Sequence, residues 1–167
     1  MVIKEHQLEK IIQENKQFIS ILIYGPNEGL VKDQIEKLTK NYLSQGDYEE
    51  ISFNGKDLDE DPGSLEAIIR SVSMFFKNKI VTADGIKDKH LSIIEELVLK
   101  APEQGVLIIS EGSLSKSSKI RKFFEGHKTC LSLPCYEDDS RSIMKNIEEF
   151  TRKNKFELSR DIKNYLL

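Results

Sequence analysis

The loop after the first apolar run of this sequence has the position and glycine content of a phosphate-binding loop. It lies between the apolar run 18–25 and a helical pattern that starts at residue 29. In α/β proteins, the backbone amides at such a helix N-terminus point toward a bound phosphate. The residues of this candidate loop are Gly25, Pro26, Asn27, Glu28 and Gly29.

The residue types in this loop argue against nucleotide binding. A nucleotide-binding P-loop has the pattern GxxxxGK[ST], and its alignment on Gly25 places Leu30, Val31 and Lys32 where Gly, Lys and Ser or Thr are required. Glu28 would also put a carboxylate at the positive end of the helix dipole, where it would repel a phosphate. We therefore predict a loop that has the shape of a phosphate loop but binds no nucleotide. The alternative is an NTPase that uses Lys32 in an unusual register.

Other residues that could do chemistry do not form a complete catalytic or metal-binding motif. Asp84 and Glu111 each end an apolar segment, where a magnesium ligand would be expected, but neither is accompanied by a phosphate-binding lysine. We interpret Glu111 as a solvated strand-end carboxylate. The histidines have charged helical or turn surroundings and are predicted at the surface; they are His6, His90 and His127. We expect no catalytic residue, no metal and no cofactor in this chain.

The composition and charge favour a soluble cytoplasmic protein. The 167 residues carry 25 Lys and Arg against 28 Asp and Glu, a formal net charge of −3, which excludes a free-standing DNA-binding domain. The sequence has neither a signal-peptide pattern nor an apolar run near the ~18–20 residues of a membrane helix. Cys130 and Cys135 lack CxxC spacing and are expected to stay reduced. A local basic cluster could meet DNA phosphates but is expected to be a solvated helix face; it contains Lys116, Lys119, Arg121 and Lys122.

Apolar segments alternate with helical patterns along most of the chain. Strands are predicted over 18–25, 48–55, 78–84, 105–112 and 129–136, and helices over 29–43, 61–75, 87–101 and 116–126. This alternation predicts an α/β fold, a doubly wound parallel sheet of about five strands with helices on both faces, in a domain over 1–136. Only helices are predicted over 137–156 and 158–167, and we expect them to begin a small helical second domain that is incomplete here.

The segment 71–80 is the other feature of interest, because its predicted helix ends on Met74, Phe75 and Phe76, directly before a turn over 77–79. This position puts at least one large apolar side chain at the edge of the protein. Composition leaves two interpretations open, which are packing into the core or loop and an exposed apolar plug for a partner.

Four segments, in order, resemble the delta subunit of the bacterial DNA polymerase III clamp loader, over about residues 18–140. LIYGPNEGLVKDQ resembles the family's first strand and degenerate P-loop. Asp61-Pro62 with the downstream Ser73-Met74-Phe75 resembles the helix that leads into the family's Ser-Leu-Phe element. LIISEGSLSKSSKIRKFFE resembles its apolar strand followed by Ser-x-Leu-Arg-Lys-x-Phe-Glu, and LPCYEDD is similar to its closing Pro-Cys-Tyr.

This resemblance implies an AAA+-like fold that binds no ATP, in a subunit that grips the sliding clamp and opens one of its interfaces during DNA replication. The clamp-binding residues that it implies are Ser73, Met74, Phe75 and Phe76, with Met74 and Phe75 entering a clamp pocket. The implied partners are the sliding clamp, which is the beta subunit of DNA polymerase III, the other loader subunits, and DNA only within the assembly. No membrane partner is implied. ATP hydrolysis would belong to partner subunits, so no catalytic centre is expected in this part of the polymerase holoenzyme.

The sequence departs from the family pattern in three respects. Met74 stands where the family has Leu, a change that conserves volume. Residues 76–79, Phe-Lys-Asn-Lys, replace a turn rich in Gly and Arg. The family's third, C-terminal domain has no counterpart in the sequence, so we expect a fragment or a subunit with compromised assembly. The remaining alternative is a generic α/β interaction module with a partner other than a clamp.

Overall fold

A computed structural model describes residues 1–4, 7–8, 10–11, 20–100, 105–137 and 140–165. The chain divides into two compact units, Met1–Cys135 and Tyr136–Leu167. His6 and the outermost residues of several predicted elements, at 18–19, 101, 138–139 and 166–167, lie outside the described residues.

The first unit is built on a parallel five-stranded sheet, as the sequence predicts. Its strands pair in the order β2-β3-β4-β1-β5. The strands are β1 (Ser20–Tyr24), β2 (Tyr48–Asn54), β3 (Asn78–Asp84), β4 (Gly105–Glu111) and β5 (Cys130–Pro134). Since β1 lies between β4 and β5 and is buried on both faces, its sequence is a continuous apolar run rather than an alternating one.

Helices cover both faces of this sheet, which confirms the doubly wound prediction. They are α1 (Glu28–Ser44), α2 (Asp57–Glu60), α3 (Ser64–Arg70), α4 (Leu91–Leu99, preceded by the 3-10 turn Asp88–His90) and α5 (Lys119–Gly126). Alternate residues of β1 enter two separate apolar clusters. Ile21 and Ile23 pack with Val31 and Leu38 of α1, whereas Leu22 packs with residues of α3, α4 and α5.

The helix predicted over 61–75 is wrong at its end. The helix α3 stops at Arg70, and Ser71 is extended, with φ −62° and ψ 142°. Ser71 Oγ donates to the carbonyl of Ile68, a local bond that competes with continuation of the helix. Residues 72–77 are therefore a loop. Residues 78 and 79 fall in two overlapping predictions, a turn over 77–79 and a strand over 78–84; they are the first two residues of β3, so the strand is correct there and the turn is wrong.

The described residues of the second unit form two helices, α6 (Ser140–Asn154) and α7 (Arg160–Tyr165), within the predicted helical segments. The rings of Phe150 and Phe156 meet edge to face, with centroids 5.9 Å apart. In the described part of the chain, no helix has the length and apolar character that a membrane crossing requires.

Candidate functional site

The structure brings the four predicted partner-binding residues together on one loop, which we call the tip loop (Ser71–Lys77). Met74 is 92% exposed and Phe75 is 84% exposed, while Phe76 is 42% exposed. Ser73 is half-buried, and its Oγ accepts a hydrogen bond from the Phe75 amide at 3.4 Å, which tightens the turn between them. The loop thus presents two large apolar side chains to solvent.

Val72 belongs to the same exposed surface and was missed by the sequence reasoning. Its side chain is 93% exposed. Val72 lies in the same loop, two residues before Met74. The prediction of a helix through residue 75 concealed it, because an apolar residue within a helical pattern is expected to pack against the core.

One end of the tip loop is fastened by Lys79, the second residue of β3. Lys79 is buried, and its Nζ donates to the carbonyl of Ile68 at 3.0 Å and to both the carbonyl and the hydroxyl oxygen of Ser71. Carbonyls at a helix C-terminus lack partners within the helix and attract a cation. Lys79 therefore fixes the point where α3 ends and the loop begins.

The other end of the tip loop is fastened by Asp47, in the turn before β2. Asp47 Oδ1 accepts from the Lys77 amide at 3.1 Å, and the Asp47 carbonyl accepts from the Asn78 amide at 3.0 Å. Asp47 has a φ of 65°, a left-handed conformation that Asp tolerates better than most residues. Sequence reasoning identified neither Lys79 nor Asp47, because both act on a segment distant along the chain.

The loop of Gly25, Pro26, Asn27, Glu28 and Gly29 connects β1 to α1, as its position predicts. Its amides donate to acceptors of the chain itself. The Gly25 amide donates to the Gly112 carbonyl at 3.1 Å, and the Asn27 amide to the Cys135 carbonyl at 3.4 Å. Asn27 Oδ1 accepts from the Leu30 amide at 3.0 Å and caps α1. These contacts leave fewer donors for a phosphate than an open phosphate loop offers.

Carboxylates from three elements border the cleft beside this loop. Glu28 is the first residue of α1, Asp84 ends β3 and Glu111 ends β4. The interpretation of Glu111 as a solvated carboxylate is wrong, because it is half-buried and burial raises the pKa of its side chain. Its Oε1 has no hydrogen-bond partner among the described residues. No three His, Cys, Asp or Glu side chains converge on a metal position within the described ranges.

The surface prediction for His90 is also wrong. His90 is buried and accepts from the Lys87 amide through Nδ1 at 3.2 Å, so its Nε2 is the atom that donates to Asp59 Oδ1 at 3.0 Å. This pair joins the 3-10 turn to α2, and it lowers the pKa of the Asp59 carboxyl. His127 is half-buried, with its ring 5.3 Å from that of Phe123.

Arg121 is not part of a solvated basic face. Its guanidinium donates to Glu125 at 2.8 Å and to the Leu114 carbonyl at 3.0 Å, and it lies 5.0 Å from the centre of the Tyr24 ring. Arg121 therefore holds α5 against β1. The lysines of the predicted cluster, Lys116, Lys119 and Lys122, are exposed. Both cysteines are free and buried, and burial raises the pKa of Cys130 to about 11.

The tip loop and the β1–α1 loop lie at opposite ends of the strands. The tip loop leads into the amino end of β3, whereas the β1–α1 loop follows the carboxyl end of β1. All the strands are parallel, so these ends are separated by a strand length of roughly 20 Å. A partner on the tip loop would leave the β1–α1 cleft uncovered.

No curated protein matches the sequence. Similar solved structures are a DNA clamp loader delta protein from Bacillus subtilis (TM-score 0.65, 13% identity, 96% of this chain and 50% of that one) and AMPPCP-bound DnaA from Aquifex aeolicus (0.54, 17%, 100% and 57%). A RuvB variant from Thermotoga maritima is also similar (0.52, 15%, 92% and 50%).

At these low sequence identities, the structural similarity shows only the fold, which is AAA+-like. The chain spans about half the length of the structures that it matches. The family itself is shown by a sequence model described as DNA polymerase III, delta subunit, which matches residues 21–134. Because this match covers more than half of the chain, including the β1–α1 loop and the tip loop, the protein belongs to the delta-subunit family of the DNA polymerase III clamp loader.

Proposed function

We propose that this chain binds the sliding clamp through the tip loop and helps to open one of the clamp's interfaces, without hydrolysing ATP. The observation that carries the proposal is the exposure of Met74 and Phe75, at 92% and 84%, in a chain of the delta-subunit family. Large apolar side chains are normally buried, and an exposed group of them marks an interaction surface.

The tip loop can supply substantial binding free energy. Burial of each of Met74 and Phe75 in a desolvated pocket contributes ~1.5–3 kcal/mol. Ser73, half-buried, shapes the turn that separates the two anchors from the protein body, and Phe76 lies closer to the body. Such binding opens a ring only to the extent that the open form is bound more tightly than the closed form. Clamp opening then needs no catalytic residue in this chain.

We propose further that the β1–α1 loop holds no nucleotide. This is supported by Leu30 and Val31 at the positions of the P-loop Gly and Lys, and by amides that donate to Gly112 and Cys135. Glu28 at the start of α1 adds a negative charge where a phosphate would lie. ATP-dependent steps would then belong to other loader subunits.

The first experiment measures binding of the purified chain to the sliding clamp of the same organism by surface plasmon resonance. The variant Met74→Ala/Phe75→Ala should weaken binding by about 100-fold or more, since central apolar anchors carry most of the free energy of an interface. The matched control is Leu99→Ala, which removes a side chain that is 72% exposed on α4. A wild-type chain that is folded but does not bind, or a double variant that binds like the wild type, would contradict the proposal.

A further inference from the structure

We propose that Lys79 and Asp47 are positioning residues, which hold the tip loop in the conformation that a partner binds. The inference rests on the proposed function of the tip loop, and it concerns residues outside the exposed surface.

Lys79 is an unusual residue for its position. It is 5% exposed, in a strand whose following residues Ile80 and Val81 are core residues. A buried ammonium group is costly unless hydrogen bonds satisfy it. The three acceptors that Lys79 uses, on Ile68 and Ser71, match the three donors of an ammonium group. The side chain therefore ties β3 to the last residue before the exposed surface.

Asp47 performs the same task at the other end. Its side chain and its carbonyl accept from two consecutive amides, those of Lys77 and Asn78. The ion pair of Asp47 with Lys77 Nζ, at 3.6 Å, adds little, because the Lys77 side chain is 85% exposed. The acceptor oxygen of Asp47, rather than its charge, is thus the important feature.

These two attachments matter because the loop between them is apolar and exposed. A loop free at its base would turn Met74 and Phe75 back onto the protein, and ordering it would then oppose binding. With Ser71 and Lys77 held, the loop is ordered before a partner arrives. We therefore expect partner affinity to depend on Lys79 and Asp47, although neither belongs to the exposed surface.

The test compares Lys79→Met and Asp47→Ala with the matched control Asp47→Asn. Methionine keeps the apolar stem of Lys79 without its donors, and alanine removes the Asp47 acceptor. Asparagine keeps an acceptor oxygen and tolerates the left-handed conformation, and it removes only the charge. Hydrogen exchange of the Ser71 amide, which donates to the Ala67 carbonyl, reports on the end of the loop that Lys79 holds, and exchange of the Lys77 amide reports on the end that Asp47 holds. Exchange in β1 and β4 reports on the fold, and surface plasmon resonance reports on clamp affinity.

We expect the Ser71 amide to exchange faster in Lys79→Met and the Lys77 amide to exchange faster in Asp47→Ala. Clamp affinity should fall by about 5- to 10-fold in Asp47→Ala, the effect of one lost hydrogen bond, and by at least as much in Lys79→Met, which loses three. Exchange in β1 and β4 should be unchanged, and Asp47→Asn should behave like the wild type. If Lys79→Met does not fold, Ser71→Ala, which removes one acceptor of Lys79, tests the same end of the loop, and Asp47→Ala with its asparagine control tests the other end.

Unchanged clamp affinity in a variant with a loosened loop would overturn the positioning role, and so would an unchanged exchange rate. Equal losses in Asp47→Asn and Asp47→Ala would point to charge instead of position and would also overturn it. A folded wild-type chain that does not bind the clamp refutes the proposed function. The exchange measurements then still decide whether the two residues hold the loop.

Discussion

Gly25 approaches Cys135 so closely that a Cβ on Gly25 would lie 1.8 Å from the Cys135 carbonyl oxygen. The Cys135 amide in turn donates to the carbonyl of Tyr24, the residue before Gly25, at 2.7 Å. The backbone at the start of the β1–α1 loop thus packs directly against the backbone of the residue that follows β5. A glycine is required here for close packing of two backbones, independently of any phosphate.

We expect Gly25→Ala to lower the free energy of unfolding by roughly 1–3 kcal/mol, because the added methyl group overpacks rigid backbone. Urea denaturation of the full chain would measure this. Gly29→Ala is the control, since its Cβ would meet only Asn27 Oδ1 at an ordinary 3.6 Å. Alanine in the first turn of α1 should be neutral or stabilising. Equal effects of the two variants would contradict the steric argument.

Titration with magnesium and ATP should give no saturable heat and no increase in Tm. The physical reason is that the Gly25 and Asn27 amides are engaged within the chain and that Val31 replaces the P-loop lysine. A ligand that bound only the folded state would raise Tm. Saturable binding that is lost in Lys32→Ala would instead support the alternative of an NTPase with an unusual register.

Substitutions in the tip loop should rank by exposure. Phe75→Ala should weaken clamp binding more than Phe76→Ala, since Phe75 is 84% exposed and Phe76 is 42% exposed. Phe76→Ala should instead lower the free energy of unfolding, because part of its ring is buried in the free protein. Affinity and urea denaturation, measured on both variants, check this ranking. The reverse order would show that the partner reaches beneath the loop.

Asp88 should make the stability of the first unit sensitive to acid. The backbone amides of Lys119 and Ile120, at the start of α5, donate to Asp88 and hold the pKa of its carboxyl below its usual value. A carboxylate with a lowered folded-state pKa stabilises the fold above its ordinary pKa, and this stabilisation is lost as the pH falls through the folded-state pKa.

Asp88→Asn should therefore lower the free energy of unfolding at pH 7 by roughly 0.5–1.5 kcal/mol, because asparagine keeps one acceptor oxygen and loses one of the two bonds to the amides of α5. The difference from the wild type should shrink below about pH 4, where the unfolded carboxyl takes up its proton. Urea denaturation across this pH range is the measurement. The control is Asp33→Asn, because Asp33 is an exposed residue of α1. A difference that stays constant with pH would exclude Asp88 as its source.

Local sequence determined most of the scaffold. The strand predicted over 78–84 has the bounds Asn78–Asp84, and α1 differs from its predicted range 29–43 by one residue at each end. Buried strands in a parallel sheet need continuous apolar runs, and the helices between them need an apolar stripe. Both patterns involve residues that are close in sequence, so the sequence alone reveals them. The sequence alone also shows that Val31 stands at the position of the P-loop lysine.

Tertiary structure decided the surroundings of individual polar side chains. His90 is buried because Asp59, 31 residues earlier, offers it an acceptor. Lys79 enters the protein interior because α3 ends beside β3. Both are charged or polar residues in sequence surroundings that suggest a surface, and their burial depends on partners from other elements. The loop that carries Met74 and Phe75 is also a tertiary feature, because the helix ends at Arg70 and residues 47 and 79 bond to the ends of a segment that the sequence pattern assigned to a helix.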